Sequence, residues 1–273
     1  MFLEFREPFG RLDDWRNWVD LLPQLRDPAY IQEVARSVAS SGFIDPFLGA
    51  VPAAEVVIEH TNYREGLLAR GSTSRYRAIL THVVDYILAN GRCSTIYLSE
   101  HITMFAQTMA AHFPYLVTSE YLPNAAARRR HPDIRHEDPA KLSLPDHSFD
   151  LYISSDTMVY APSMETFLRE ARRVLRRSGL LLATFPFRYG EQASEIKVKM
   201  IDGKIVHAGE PVYHGDPLDD ERQRLVFFIP GWDILDQARA LGFRSAEIIA
   251  HSSRTNAIIG EEIAAVFVLK AMA

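Results

Sequence analysis

The chain has 273 residues, 47% of them apolar and 24% charged, with a formal charge of −5. That is enough to bury a substantial core, as one large α/β domain or as one domain with an extension. The acidic balance offers no global attraction to nucleic acid or an anionic membrane, and the single cysteine, Cys93, excludes an intrachain disulfide and a cysteine-based metal site.

From the start, acids interrupt the apolar residues of M-F-L-E-F-R-E-P-F-G, and no apolar run approaches the roughly twenty residues of a membrane span. A cytoplasmic protein is expected. Asp13 to Asp20 and Asp27 to Ala39 read as helices, with Pro28 suited to a first turn and Gly42 ending the second. A turn-rich connection leads to an expected strand at Ala54 to Glu59. Residues 1–75 are expected to form a mainly helical cap or extension, packed on the main domain or covering its substrate. Arg75 to Ala89 is an amphipathic helix that feeds a strand at Ser94 to Leu98. No glycine then occurs between Gly91 and Gly179. Phe113 to Glu120 reads as a strand ending in an acid. R-R-R-H, at Arg128 to His131, has no second basic stretch beside it and reads as a solvated helix face rather than a nucleic-acid site. A third strand is expected at Asp133 to Glu137.

The most patterned stretch is His136 to Arg188. Phe149 to Ser154 is a short apolar run entered through a Pro-Asp turn, the form of a buried strand. Ser163 caps a helix with apolar residues at Met164, Phe167, Leu168, Ala171, Val174 and Leu175. Gly179 stands where a left-handed helix end is expected, and Leu180 to Phe185 returns as a second buried strand. The result is a βαβ unit and hence a parallel sheet. An Asp-Gly hairpin follows within Ile196 to Gly209. Pro230 to Gly242 then forms a helix, and Phe243 to His251 and Ala264 to Leu269 are the last strands, expected to pair antiparallel. No G-x-S-x-G elbow, phosphate-cradling G-x-x-x-x-G-K, H-x-H or H-E-x-x-H is present, so no metal site is expected. Ser99 to Thr103 stand where a nicotinamide enzyme would carry its glycine-rich turn.

The wording D-P-A-K-L-S-L-P-D-H-S-F-D-L-Y-I-S-S-D, followed by F-L-R-E-A-R-R-V-L-R-R-S-G-L-L-L-A-T-F-P-F, resembles the second half of class I S-adenosylmethionine-dependent methyltransferases. The resemblance implies an α/β fold with a doubly wound, seven-stranded, mostly parallel Rossmann-like sheet over residues 76–273, carrying an insertion at about 188–229. It implies S-adenosyl-L-methionine as cofactor and a small-molecule or sugar acceptor, methylated on oxygen or nitrogen, with a homodimer left open. Cofactor contacts are then expected from Ser99, Glu100, His101 and Thr103 in the glycine-poor loop. Glu120 with Tyr121 would face the ribose, Asp138 with Pro139 the adenine, and Ser155 with Asp156 the crevice at the fourth strand. An acid such as Glu120 can accept both ribose hydroxyls.

His214 and Tyr160 are the candidates for a general base, each with an alternative: a turn histidine bonded to Asp216, and a packing aromatic. Asn62 to Leu80 resembles an element of a bacterial subgroup whose knuckle often carries cysteines. Here Ala69, Arg70, Gly71 and Ser72 fill those places, so a metal role is absent, while Arg64, Arg75 and Arg77 are candidates for anion binding or plain solvated charges. Two rivals to methyl transfer are a binding or regulatory protein without turnover and an enzyme that uses S-adenosylmethionine otherwise.

Overall fold

The computed structural model describes residues 2–91, 94–216 and 218–273; Cys93 lies outside them. Seven strands build the main sheet. In chain order they are β1 (Glu4–Phe9), β2 (Ile96–Leu98), β3 (Leu116–Thr118), β4 (Phe149–Ser155), β5 (Leu175–Thr184), β6 (Ser245–Ser253) and β7 (Val266–Met272). Side by side they run β1-β6-β7-β5-β4-β2-β3. This is the expected α/β, Rossmann-like, seven-stranded arrangement, and the sheet is mixed. β3, β2, β4 and β5 form its parallel part.

One of the seven strands is not the expected one. Residues 133–137 make no strand; they keep a single parallel bridge between Glu120 and His136. Glu120 N–H donates to Arg135 O at 2.9 Å and Glu137 N–H to Glu120 O at 3.1 Å. A turn before Arg135, and another in which Lys141 N–H bonds Asp138 O, leave no length for a ladder. The seventh place is taken by β1, antiparallel to β6 from Glu4↔Ser253 to Phe9↔Ile248. Pro8, which lacks a donor, sits in this edge strand, the place where a sheet tolerates it.

Residues 1–92 with 247–269 form one compact unit, and residues 93–246 with 270–273 another. In the first, the helix Leu12–Val19 buries Leu12, Trp15 and Val19, and Trp15 meets Phe9 and Phe267 edge-on at 5.3 and 5.2 Å. Asp27 Oδ1 caps the helix Pro28–Ser41 by accepting from Ala29 N–H. Thr73 caps Ser74–Asn90 by accepting from Tyr76 N–H. The three candidate arginines of this unit are engaged within the protein. Arg64 and Arg75 both pair with Glu65. Arg77, fully buried, donates to the carbonyls of Ala257, Ser72 and Leu67. Burial pushes its pKa down, to about 9, against the pull of Asp45, so it stays charged at neutral pH.

In the second unit, Ser163 Oγ accepts from Thr166 N–H at 3.1 Å and caps Met164–Val174, whose buried face is Met164, Phe167, Leu168, Ala171 and Val174. The helix passes straight into β5. Gly179 is therefore inside a strand and not at a helix end. Ser178 takes the left-handed conformation (φ 68°), while a Cβ on Gly179 would stand 3.0 Å from Arg176 O and 3.1 Å from Phe149 O. Glycine is needed there for close approach of backbone. The Asp-Gly hairpin forms as expected, Val198–Ile201 against Lys204–His207, with Asp202 and Gly203 both at positive φ.

Candidate active site

In the parallel part of the sheet, the chain runs from β2 to β3 on one side of it and then crosses back to β4 on the other. The crevice outside the carboxyl ends of these strands is where such sheets bind ligands. A cavity of about 450 Å³ opens there, within the usual size range of small-molecule sites. Five of the expected residues line it: Ser99, Tyr121, Asp138, Pro139 and Tyr160. The opposite wall is apolar and comes from the insertion, through Met200, Ile205, Leu225 and Phe227.

The other expected residues stand around this cavity without lining it. Glu120 is buried behind the end of β3; its Oε1 accepts from His101 N–H at 3.0 Å and its Oε2 from Arg224 Nη2 at 3.2 Å. The His101 ring bonds Thr118 Oγ1 at 2.7 Å and lines a separate hollow with Ile102 and Ala106. Thr103 spends its hydroxyl on capping Met104–His112, accepting from Ala106 N–H at 3.1 Å. Glu100 and Ser155 are buried, and Asp156 sits at φ 58° with its N–H on Thr184 O. Of the glycine-poor loop, only Ser99 reaches the cavity. Its hydroxyl is 2.6 Å from Thr157 Oγ1, which lies 2.9 Å from Ser154 Oγ.

Local charge is mainly acidic. Asp138, which lines the cavity, accepts from Ala140 N–H through Oδ1. Glu137 is held by Ser143 N–H (2.6 Å), Ser143 Oγ (2.7 Å) and Arg135 (3.3 Å). His136 accepts from Leu122 N–H through Nδ1, and burial, then Arg128, hold its pKa below the ordinary histidine value. Burial likewise raises the Tyr97 phenol, which stays neutral and bonds Ser119 Oγ at 2.7 Å.

The two base candidates, 54 residues apart, are brought together: Tyr160 Oη lies 2.9 Å from His214 Nδ1, with the rings edge-on. Asp216, the partner in the alternative reading of His214, accepts from Leu218 N–H and from Arg224. Arg224 is the site residue that sequence reasoning missed. It ends a charged run, D-D-E-R-Q-R, in which nothing marks it out from Arg222.

Residues 101–183 match a family described as a methyltransferase domain. The match spans less than a third of the chain, and the sheet order above is the Rossmann-like arrangement that the sequence resemblance led one to expect. Among solved structures, the chain is similar to an S-adenosylmethionine-dependent methyltransferase from Mesorhizobium loti, at 17% identity over 74% of this chain and 99% of that one, with a TM-score of 0.47. It is similar to DesVI of Streptomyces venezuelae at 15% identity, over 73% and 93%, with a TM-score of 0.43. A Burkholderia thailandensis 1,6-didemethyltoxoflavin-N1-methyltransferase, solved with its substrate and S-adenosylhomocysteine, is 12% identical over 71% and 77%, with a TM-score of 0.39. A search of curated proteins gave no match.

The residues present fit the adenosine half of S-adenosylmethionine, the cofactor that the sequence resemblance implies. Asp138 offers a carboxylate oxygen to an exocyclic amine, the acidic lining suits a cationic sulfonium, and Tyr121 and Pro139 supply flat apolar surface. Among the described residues, no helix is long and apolar enough to cross a membrane.

Proposed function

We propose that this chain methylates an oxygen or nitrogen of a small molecule or sugar, with Tyr160 and His214 as its proton-accepting pair. The observation that carries this reading is the 2.9 Å contact between Tyr160 Oη and His214 Nδ1, with Tyr160 on the wall of a cavity that Asp138 and Ser99 also line. When bound, the cofactor supplies an electrophilic methyl group. The protein's part is to hold the acceptor in line and to limit water around it, and Met200, Ile205 and Phe227 give the cavity apolar lining. With the imidazole tautomer that leaves Nδ1 bare, Tyr160 donates to His214. An acceptor hydroxyl or ammonium seated on Tyr160 then passes its proton to the phenol oxygen as the phenol proton moves to Nδ1.

A second reading, cofactor binding without turnover, is favoured by one observation. The loop amides are spent internally, Ser99 N–H on Ile153 O and His101 N–H on Glu120. Calorimetric titration with S-adenosylmethionine and S-adenosylhomocysteine, followed by S-adenosylhomocysteine release across hydroxyl- and amine-bearing acceptors, separates the two. Binding of both ligands with turnover supports methyl transfer. Binding without turnover on any acceptor favours the second reading, and failure to bind either ligand removes both.

A further inference from the structure

The hairpin Tyr213–Asp216 and Asp219–Leu225 brings to the cavity an arginine for which the proton-transfer scheme has no use. Arg224 has 9% of its side chain exposed. Both of its carboxylate partners converge on one nitrogen: Nη2 lies 3.2 Å from Glu120 Oε2 and 2.9 Å from Asp216 Oδ1. Its Nε, also buried, has no acceptor among the described residues. Glu120 is closed off from the other side, because its second oxygen takes the His101 amide and its side chain is 2% exposed. A ligand hydroxyl reaches Glu120 only by separating it from Arg224.

We propose that Arg224 is a positioning residue that competes with the cofactor's ribose for Glu120, so that cofactor occupancy is passed to the Tyr160–His214 pair. The proposal rests on the reading of Glu120 as the ribose acceptor. The exchange is nearly even in kind. Glu120 gives up one charge-assisted bond and gains hydroxyl donors, and Arg224 keeps Asp216, the nearer carboxylate, on its own hairpin. The route to the base is short. Arg224 is the cross-strand partner of His214, and its guanidinium lies 5.8 Å from the centre of the Tyr160 ring. When Glu120 lets go of Arg224, the strand that holds His214 against Tyr160 loses its tie to the end of β3. The strand that carries His214 is therefore held differently when the ribose is in place and when it is not.

Calorimetric titration with S-adenosylhomocysteine tests this on the full chain and on Arg224→Met, Arg224→Lys and Glu120→Gln. Arg224→Met is expected to bind roughly tenfold tighter than the wild type and Glu120→Gln roughly tenfold weaker, as befits one hydrogen bond to a charged group. Arg224→Lys, which reaches one carboxylate at a time, is expected to gain less than Arg224→Met, and it stands in should the methionine variant fail to fold. Hydrogen exchange at 213–216 and 223–225 is expected to rise when S-adenosylhomocysteine binds the wild type. If Arg224→Met and Arg224→Lys bind no tighter while Glu120→Gln binds weaker, the ribose reading stands and the competition is wrong. If Glu120→Gln binds as the wild type does, the ribose reading itself fails, and the proposal with it.

Discussion

Two buried arginines in this chain do opposite things, and their partners tell them apart. Arg77 is fully buried and gives its guanidinium to three backbone carbonyls, Leu67, Ser72 and Ala257. Backbone carbonyls fixed in loops cannot turn away or take a proton, so this cation is built in. Arg224, which lines the cavity, gives its guanidinium to two buried side-chain carboxylates, and a carboxylate can rotate or accept a ligand hydroxyl. The first arrangement serves the fold, and the second is the one proposed to exchange. The sequence shows no difference between them, since both are arginines in otherwise ordinary stretches.

The contrast breaks first at Arg77. Arg77→Met takes the guanidinium from three carbonyls, of which Ser72 O keeps Ala69 N–H at 3.2 Å; at about 1–3 kcal/mol for each unmet buried group, a loss of at least about 2 kcal/mol is expected from urea denaturation. The folded fraction is expected to bind S-adenosylhomocysteine as the wild type does. A loss below about 1 kcal/mol would return Arg77 to the class of replaceable charges.

At the cavity the expected signature is reversed: rate or affinity moves and stability does not. Tyr160→Phe and His214→Asn each remove one member of the proton-accepting pair, and general-base assistance is worth about 10²–10⁴ in rate. A fall of roughly a hundredfold in single-turnover methyl transfer is expected, with cofactor affinity and urea midpoint unchanged. Equal rates in wild type and Tyr160→Phe would leave Tyr160 a packing aromatic.

A built-in polar group also leaves a mark on pH dependence, and His251 shows it. Burial, then the charge of Arg6, pushes His251 down to about 3. Above the ordinary histidine value of about 6.5, neither the folded nor the unfolded chain holds the proton, and the residue is neutral toward stability. Below it, the unfolded chain takes up a proton that the folded chain refuses. Stability therefore falls as pH drops from about 6.5 toward 3, by up to about 1.4 kcal/mol per pH unit. The difference in urea midpoint between wild type and His251→Gln should grow over that window and vanish above it. A difference that stays flat with pH would show that the folded protein protonates His251 as readily as the unfolded chain.

The parallel half of the fold was legible because its signals are local and agree with one another. Ser163 as cap, the apolar stripe from Met164 to Val174, and the apolar runs of β4 and β5 all specify one βαβ unit. Where local signals and context diverge, the reading went astray. Gly179 looks like a helix stop, but Ser178 carries the positive φ, and the glycine answers to the approach of Phe149 O from a strand thirty residues away. β1 was hidden because E-F-R-E-P-F alternates weakly and contains a proline, and only its partner β6 makes it a strand. For the site, the pairing of Tyr160 with His214 needed the hairpin register, and so did the placing of Arg224 opposite His214. Spacing along the chain does not encode that register.

The smallest expected effect sharpens the contrast most, because it asks one side chain to be both kinds of group. Asp138 uses Oδ1 within its own turn, accepting from Ala140 N–H at 2.9 Å, and its carboxylate lines the cavity. Asparagine keeps an oxygen for the turn and removes the charge that would hold the adenine amine. Asp138→Asn should therefore leave the urea midpoint within about 0.5 kcal/mol of the wild type, the range of a substitution that breaks no buried contact. Binding of S-adenosylmethionine and of S-adenosylhomocysteine should weaken by the same factor, about three- to tenfold, because adenine is common to both and the lost interaction is a single charge-assisted bond. Unequal losses would place Asp138 near the sulfonium and not the adenine. A large loss of stability with affinity intact would move it to the built-in class beside Arg77.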